Sequence, residues 1–403
     1  MNNSPVADVV SQQYSKWTYP EPIVDLPDWL KNNWQWFDPS HSSRLFWPDQ
    51  DSSDLDILIA GCGTNQAAVI AFNNRRSRVL AVDVSPQSLQ HESFLKEKYQ
   101  LSNLELKLLP IEELPSLKRD FDLIMSTGVL HHMASPQIGM NSLAECLRPN
   151  GVAAIMLYAK FGRLGVYMMQ EVFRELGLAQ DEPSLHIVKD AVSALPADHP
   201  LRSYTKIAPD LGFDAGIVDT FLHGRDRDFT IAECRELVEK SGLVFQDLLF
   251  KTSYHPPMSP TTPFLNAVAA RSKEQQWNIM ERINFRNGCH FFTACRPERS
   301  ATSYRIDFSS EAARRYVPDF RHRCRFEGNT VFKPGDSLVL SAAHAELLRL
   351  VDGQRTLEEI ADEMGRQGLY SGIHPSQRKL WAFKTAQELW QRDYLLMKLP
   401  ARG

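Results

Sequence analysis

The sequence predicts an α/β fold built on a doubly wound, mainly parallel sheet, and three observations carry that prediction. Short apolar runs alternate with polar, helix-like stretches from Leu55 onward. A glycine-rich turn, AGCGTN, follows the first run directly. A carboxylate, Asp83, closes the second run about twenty residues later.

The expected strands are LDILIA, SRVLAVDV, LELKLL, FDLIMST and GVAAIMLY, which places five of them in about a hundred residues. Between the second and third, SPQSLQHESFLKEKY reads as a crossover helix, with Ser85 as its N-cap and Pro86 in its first turn. Residues from about Lys160 to Asp228 break the alternation with GVYMMQEVFRELGL and a Pro-rich stretch. This insertion is expected to form a helical lid over the carboxyl edge of the sheet, where open α/β folds bind ligands. FTIAECRELVEKSGL gives an amphipathic helix ending at Gly242, and VFQDLLF and CHFFTACRP supply two closing strands.

Two flanking regions differ in pattern. Residues 1–54 form an aromatic-rich lead-in, with YSKWTYPEP and WLKNNWQWFDPS, whose rings are expected to pack on the next domain. Residues 55–299 make up the main domain. After the polar break ERSATSY, residues 300–403 read as a small winged-helix-like unit, with a glycine cap at Gly353 and a Thr N-cap at Thr356.

Composition narrows the function classes. A chain of 403 residues with 43% hydrophobic and 23% charged residues is long enough for two or three packed units. The opening MNNSPVADVVSQQYSKW lacks a basic segment followed by an apolar one, and charged residues interrupt every apolar stretch before it reaches about 20 residues. The six cysteines form no CxxC pair, which points to a reducing, cytoplasmic setting and away from zinc ribbons. His290, His322 and His344 stand alone, so no metal is expected. A net charge of -4 gives no global reason to expect nucleic acid or an anionic membrane.

In ILIAGCGTN, Gly61 and Gly63 let the backbone bend sharply toward a ligand, and the following helix is expected to offer free N–H groups. Asp83 is placed to accept both hydroxyl hydrogens of a ribose; its competing role is a bond to the next helix N-terminus. These residues, with LPIEELP, FDLIMSTGVLHHM and LRPNGVAAI, resemble the class I S-adenosylmethionine (SAM)-dependent methyltransferases over about Leu55 to Pro297.

That resemblance implies a Rossmann-like seven-stranded sheet and SAM as cofactor. Gly61, Cys62, Gly63 and Thr64 would then hold the methionine part, Asp83 the ribose, and Ile111 with Glu112 the adenine edge; Val84 and Leu130 would pack near the base and the sulfonium. Ile59 and Asn65 depart from the family, which usually has an acidic residue and a third glycine there. The lead-in and LIAGCGTNQAA are similar to a bacterial subgroup that includes protein-lysine methyltransferases, and LLRLVDG with TLEEIA looks like PqqD-like peptide-binding domains.

Methyl transfer from a sulfonium needs alignment, exclusion of water and, for a protonated nucleophile, a base. His131 and His132 follow the fourth strand, and only one of two adjacent side chains can face a pocket; packing or capping is the competing role of each. Tyr158 ends the fifth strand, where it borders the same cleft or is simply core. In DTFLHGRDRDFT, Asp219 and His223 are candidates beside Arg225, Asp226 and Arg227, against the reading of a solvated charged turn.

The expected activity is methyl transfer to a nitrogen or oxygen nucleophile of a protein or peptide side chain or of a small metabolite. A non-catalytic SAM-binding scaffold or sensor working through the C-terminal unit is the alternative. The absence of GxGxxG disfavours a nicotinamide enzyme. Arg314, Arg315, Arg321, Arg323 and Arg325 could meet phosphates, but acidic residues in TLEEIADEM disfavour a DNA-binding winged helix. Dimerisation is the other reading of that unit.

Overall fold

The computed structural model describes residues 9–257, 262–368, 372 and 374–400. The five early runs become β1 (Asp56–Ala60), β2 (Arg78–Asp83), β3 (Leu104–Leu108), β4 (Phe121–Thr127) and β5 (Leu147–Tyr158), all parallel. With β6 (Val244–Leu248) and β7 (Cys289–Cys295) they form a seven-stranded sheet in the order β3-β2-β1-β4-β5-β7-β6. Strand β7 runs antiparallel to both β5 and β6. Every residue of β1 is buried, as a strand covered on both faces requires, which is why DILIA is a nearly continuous apolar run.

Chain order reverses between β1 and β4: β2 and β3 extend the sheet one way, β4 and β5 the other. The crevice beyond the carboxyl ends of β1 and β4 is therefore where this fold binds ligands. The loops after β1, β2, β4 and β5 all open on that edge.

The helices on either side of the first crossover start differently. Ser85 Oγ accepts the Ser88 N–H and caps the helix Pro86–Lys98, as its sequence predicts. The helix Gln66–Asn73 has no side-chain cap from Asn65. Glu92, fully buried, reaches across from the neighbouring helix instead, and its two carboxylate oxygens accept the Ala67 and Ala68 N–H groups, each at 2.9 Å.

The insertion after β5 is helical: Leu164–Glu175, Glu182–Ala194, Leu201–Tyr204 and Asp214–Phe221. Val166, Phe173, Val188, Leu201 and Phe221 give it an apolar core of its own. The helix Ile231–Lys240, opened by a Thr230–Glu233 capping box, returns the chain to the sheet.

The chain divides into two compact units, residues 1–38, 53–248 and 271–299 in the first, and residues 39–52, 249–270 and 300–403 in the second. The second unit contains β8 (Val317–Phe320), β9 (Arg325–Glu327), β10 (Thr330–Lys333), β11 (Asp336–Val339) and β12 (Leu395–Lys398). Strands β9, β10 and β11 form one antiparallel sheet, and β8 pairs with β12. Helices Ala342–Arg349, Leu357–Arg366 and Pro375–Gln391 pack around Leu347, Ile360, Ala386 and Leu389.

The aromatic lead-in is divided between the two units. Residues 39–52 join the second because the Leu399 N–H donates to the Pro48 carbonyl at 2.8 Å and His41 stacks on His322 at 3.9 Å. Thr356 does cap its helix, through a box with Glu359. Gly353 does not cap the preceding one, whose C-cap is Leu350. It instead takes φ +71° in the following turn, where a Cβ would lie 2.8 Å from Asp319 Oδ2. In the basic segment, Arg321 is ion-paired with buried Asp393 at 2.6 Å, Arg314 with Glu311 at 2.8 Å and Arg325 with Glu327 at 2.8 Å.

Candidate active site

The glycine bend is held by its own backbone. Gly61 and Gly63 take φ +79° and +57°, a region that a side chain makes costly. A Cβ on Gly61 would lie 2.4 Å from Val129 Cγ2, and one on Gly63 would lie 2.9 Å from Pro20 Cδ. The Gly61 and Cys62 N–H groups donate to the Val82 carbonyl at 2.9 and 3.2 Å, and the Gly63 N–H donates to Asp83 Oδ2 at 2.9 Å.

These bonds correct only in part the expectation that the bend and the helix after it offer free N–H groups: among the described residues no hydrogen bond engages the Thr64, Asn65 or Gln66 amide. The bend spends its three amides on β2, and Glu92 takes the next helix's Ala67 and Ala68 amides. The bend also keeps acceptors: among the described residues no hydrogen bond reaches the Gly61 or Cys62 carbonyl. Burial pushes the Glu92 carboxyl up to about 8, the two amides opposing it. A second anion at that helix start would meet a carboxyl group already in place.

Asp83 ends β2 beside the bend, 9% exposed. Its Oδ1 accepts the Ser85 N–H at 2.8 Å and its Oδ2 the Gly63 N–H. The bond to the next helix start is present, and each oxygen keeps lone-pair capacity for a ligand hydroxyl. Burial pushes its pKa up from the ordinary carboxylate range, and the amides hold it back.

The remaining cofactor-side residues occupy adjoining loops. Thr64 is fully buried and its hydroxyl donates to the Pro20 carbonyl at 2.8 Å; Asn65 Nδ2 donates to the Glu21 carbonyl at 3.2 Å. The Val84 carbonyl accepts from Ser11 Oγ at 3.0 Å. The segment Val9–Glu21 is thus tied across the bend. Ile111 and Glu112 open the turn after β3, and Leu130 lies in the turn after β4, where it packs toward Gly139. Val129, rather than Leu130, is the side chain lying against Gly61.

On the other side of the crevice, the ends of β4 and β5 meet the insertion. Tyr158 OH donates to Asp219 Oδ2 at 3.3 Å, and Tyr14 OH donates to Asp219 Oδ1 at 2.9 Å, joined by Gln13 Nε2 at 3.4 Å. Asp219 is buried, which raises its carboxyl from the ordinary range, while His132, Tyr14 and Arg163 oppose that shift. His132 and His223 stack with ring centroids 3.8 Å apart. His131 is fully buried and stacks on Tyr158 at 3.7 Å. Burial first, then neighbouring positive charge, lowers the basicity of His131 and of His223.

The structure therefore brings His131, His132, Tyr158, Asp219 and His223 together. Asp226 is not a solvated charge either: it pairs with buried Arg163 at 3.3 Å, and that guanidinium lies 3.6 Å over the Tyr158 ring. Ligand atoms of His132, Asp219 and His223 lie within 4.8 Å of one another, close enough to consider a cation. Yet His223 Nδ1 accepts the Arg225 N–H at 2.9 Å, so neutral His223 carries its proton on Nε2 and has no lone pair left to ligate.

Comparison with known proteins agrees with this layout. A methyltransferase-domain family model matches residues 58–153, which hold β1 through most of β5. An uncharacterized protein from Synechococcus sp. is 28% identical over 298 residues, 69% of each chain. A tRNA U34 carboxymethyltransferase from Saccharophagus degradans is 32% identical over 117 residues, 28% of this chain and 36% of that one. The chain thus matches only about a third of that relative's length. In fold, PKMT2 from Rickettsia typhi is similar at a TM-score of 0.64 and 16% identity, over 94% of this chain and 77% of the other.

The methyltransferase domain indicates SAM as the cofactor, and the site fits it. Ribose hydroxyls and an ammonium are donors, and SAM carries no phosphate. Asp83 and the bend carbonyls are acceptors, beside Gly61, Cys62 and Gly63 amides that are already bonded. Sequence reasoning missed Tyr14, Gln13, Arg163 and Glu92. Their only signals were an aromatic lead-in and isolated charged residues within apolar helix faces.

Proposed function

We propose that this protein is a SAM-dependent methyltransferase acting on a nitrogen or oxygen nucleophile of a protein or peptide side chain or of a small metabolite. The observation that carries the proposal is the glycine bend: its Gly61, Cys62 and Gly63 amides bond to Val82 and Asp83, and its carbonyls and Asp83 are left as acceptors for a cationic, hydroxyl-bearing nucleoside. In this reading Gly61, Cys62, Gly63 and Thr64 hold the methionine part, Asp83 the ribose, Ile111 with Glu112 the adenine edge, and Val84 and Leu130 pack nearby. When bound, SAM supplies an activated methyl group. The chain's own residues supply alignment and dryness, with Tyr158, Asp219, His132 and His223 facing the acceptor and His131 supporting Tyr158 from behind.

Nucleic acid is not the favoured acceptor. The likeness to tRNA U34 carboxymethyltransferases covers at most 37% of the chain in the relatives compared, and three of the five clustered arginines in the second unit are held in internal ion pairs. We assign the second unit a winged-helix-like, peptide-binding role, and the protein as a whole to the cytoplasm. No helix among the described residues is long and apolar enough to cross a membrane.

The test is incubation with SAM labelled in its methyl group and fractionated cell extract. Label is expected in protein or small-molecule fractions. Tight SAM binding with no label in any fraction would favour a sensor or scaffold.

A further inference from the structure

Three histidines crowd the acceptor side, and backbone groups fix the tautomer of each. His131 Nδ1 lies 3.3 Å from the Tyr158 N–H, which can only donate, so neutral His131 carries its proton on Nε2. That Nε2 is buried with no hydrogen-bond partner. His223 Nδ1 accepts the Arg225 N–H at 2.9 Å, so its proton also sits on Nε2, 3.5 Å from Tyr14 OH. His132 is the reverse. Its Nδ1 lies 3.0 Å from the Arg225 carbonyl, which can only accept, so the proton sits on Nδ1 and Nε2 keeps its lone pair.

One residue imposes both opposed tautomers. The Arg225 carbonyl accepts from His132, its N–H donates to His223, and its side-chain Nε donates to the His132 carbonyl at 2.6 Å. Of the three rings, only His132 is left with a nitrogen lone pair not committed to the backbone. The ring is set between His223, stacked at 3.8 Å, and Tyr158, edge-on at 5.5 Å. Among the described residues no hydrogen bond reaches its Nε2.

We propose that His132 Nε2 is the proton acceptor of methyl transfer and that Arg225 is the positioning residue that makes it so. This rests on the methyltransferase reading above. The acceptor's N–H or O–H proton passes to His132 Nε2, its lone pair bonds to the methyl carbon, and the electron pair of the broken carbon–sulfur bond stays on sulfur as a neutral thioether. The imidazolium formed lies beside the Asp219 carboxylate, whose pKa His132 already draws down. His131 and His223 serve as packing and donor groups, since neither offers a free lone pair.

Long-range proton–nitrogen correlation spectra of the full chain, labelled with ¹⁵N-histidine, read the tautomers without any acceptor. The expected result is an Nδ1–H form for His132 and Nε2–H forms for His131 and His223, with signals assigned by single substitutions. An Nε2–H form of His132 overturns the proposal. Arg225→Ala keeps the backbone N–H and carbonyl of this position but removes the Nε bond that ties them to the His132 carbonyl, so it is expected to loosen both contacts and shift His132 toward a mixture of tautomers; Arg225→Lys tests the same point if the alanine variant does not fold.

A second arm uses methyl-labelled SAM with cell extract. His132→Asn keeps a donor toward the Arg225 carbonyl but removes the base, and is expected to lower incorporation about 100-fold or more with SAM affinity within about threefold. Undiminished incorporation by this variant overturns the proposal. If the wild-type protein does not bind SAM, the methyltransferase reading fails, while the tautomer result still stands or falls on its own.

Discussion

The two sides of the crevice are built by different means. On the cofactor side, consecutive residues of one bend and one strand end satisfy each other through the backbone, from Gly61 to Asp83. On the acceptor side, side chains from four distant segments converge: Tyr14 from the N-terminal segment, His132 after β4, Tyr158 at the end of β5, and Asp219 with His223 from the insertion. The first arrangement is local in sequence and tolerates little change. The second is assembled by tertiary packing and can be altered one group at a time.

The sharpest way to break the contrast is Gly61→Ala. At φ +79°, with Val129 Cγ2 2.4 Å from the new carbon, the bend must shift. Calorimetry is expected to show SAM binding lost, and thermal unfolding a stability loss of about 1–3 kcal/mol. Wild-type affinity in that variant would mean the bend does not shape the pocket. Asp83→Ala comes next. It removes a charged acceptor worth about 1.5–3 kcal/mol, so SAM affinity is expected to fall about 10-fold to 100-fold; unchanged affinity would remove Asp83 from the site.

The same contrast explains what could be read from sequence. The seven strands, the glycine bend and Asp83 were legible because buried parallel strands are continuous apolar runs, and a cofactor loop is a short contiguous motif. The acceptor-side candidates were legible only as residues. Nothing in GVLHHM or DTFLHGRDRDFT reveals that Arg225 sits between the two histidines, because that geometry arises when the insertion folds back on β4 and β5. The expectation of free amides failed at Ala67 and Ala68 for a related reason. Glu92 reads as one acidic position on an amphipathic helix, and its partners Ala67 and Ala68 are 25 and 24 residues away.

Smaller effects sharpen the comparison. Tyr14→Phe deletes the 2.9 Å donor to Asp219 but leaves the bend untouched. Label transfer is expected to fall about tenfold, the equivalent of one hydrogen bond of about 1.5 kcal/mol, with SAM affinity nearly constant. A parallel loss of affinity would show the two sides to be one coupled unit.

Glu92 gives the smallest and most diagnostic shift. Its folded-state value, about 8, lies above the ordinary carboxylate value, so the native state holds a proton that the unfolded chain releases. This contribution to stability is full at low pH and is lost as pH rises from about 4.5 toward about 8. Glu92→Gln is expected to flatten that part of the curve in denaturant titrations. An unchanged slope would place the dependence elsewhere.

The central claim, that the crevice presents the bend carbonyls and Asp83 as acceptors to a sulfonium nucleoside, is tested most directly by calorimetric titration of the full chain with SAM and, separately, with NAD. The account predicts saturable SAM binding and no heat of binding for NAD. Saturable binding of NAD, or none of SAM, would contradict it.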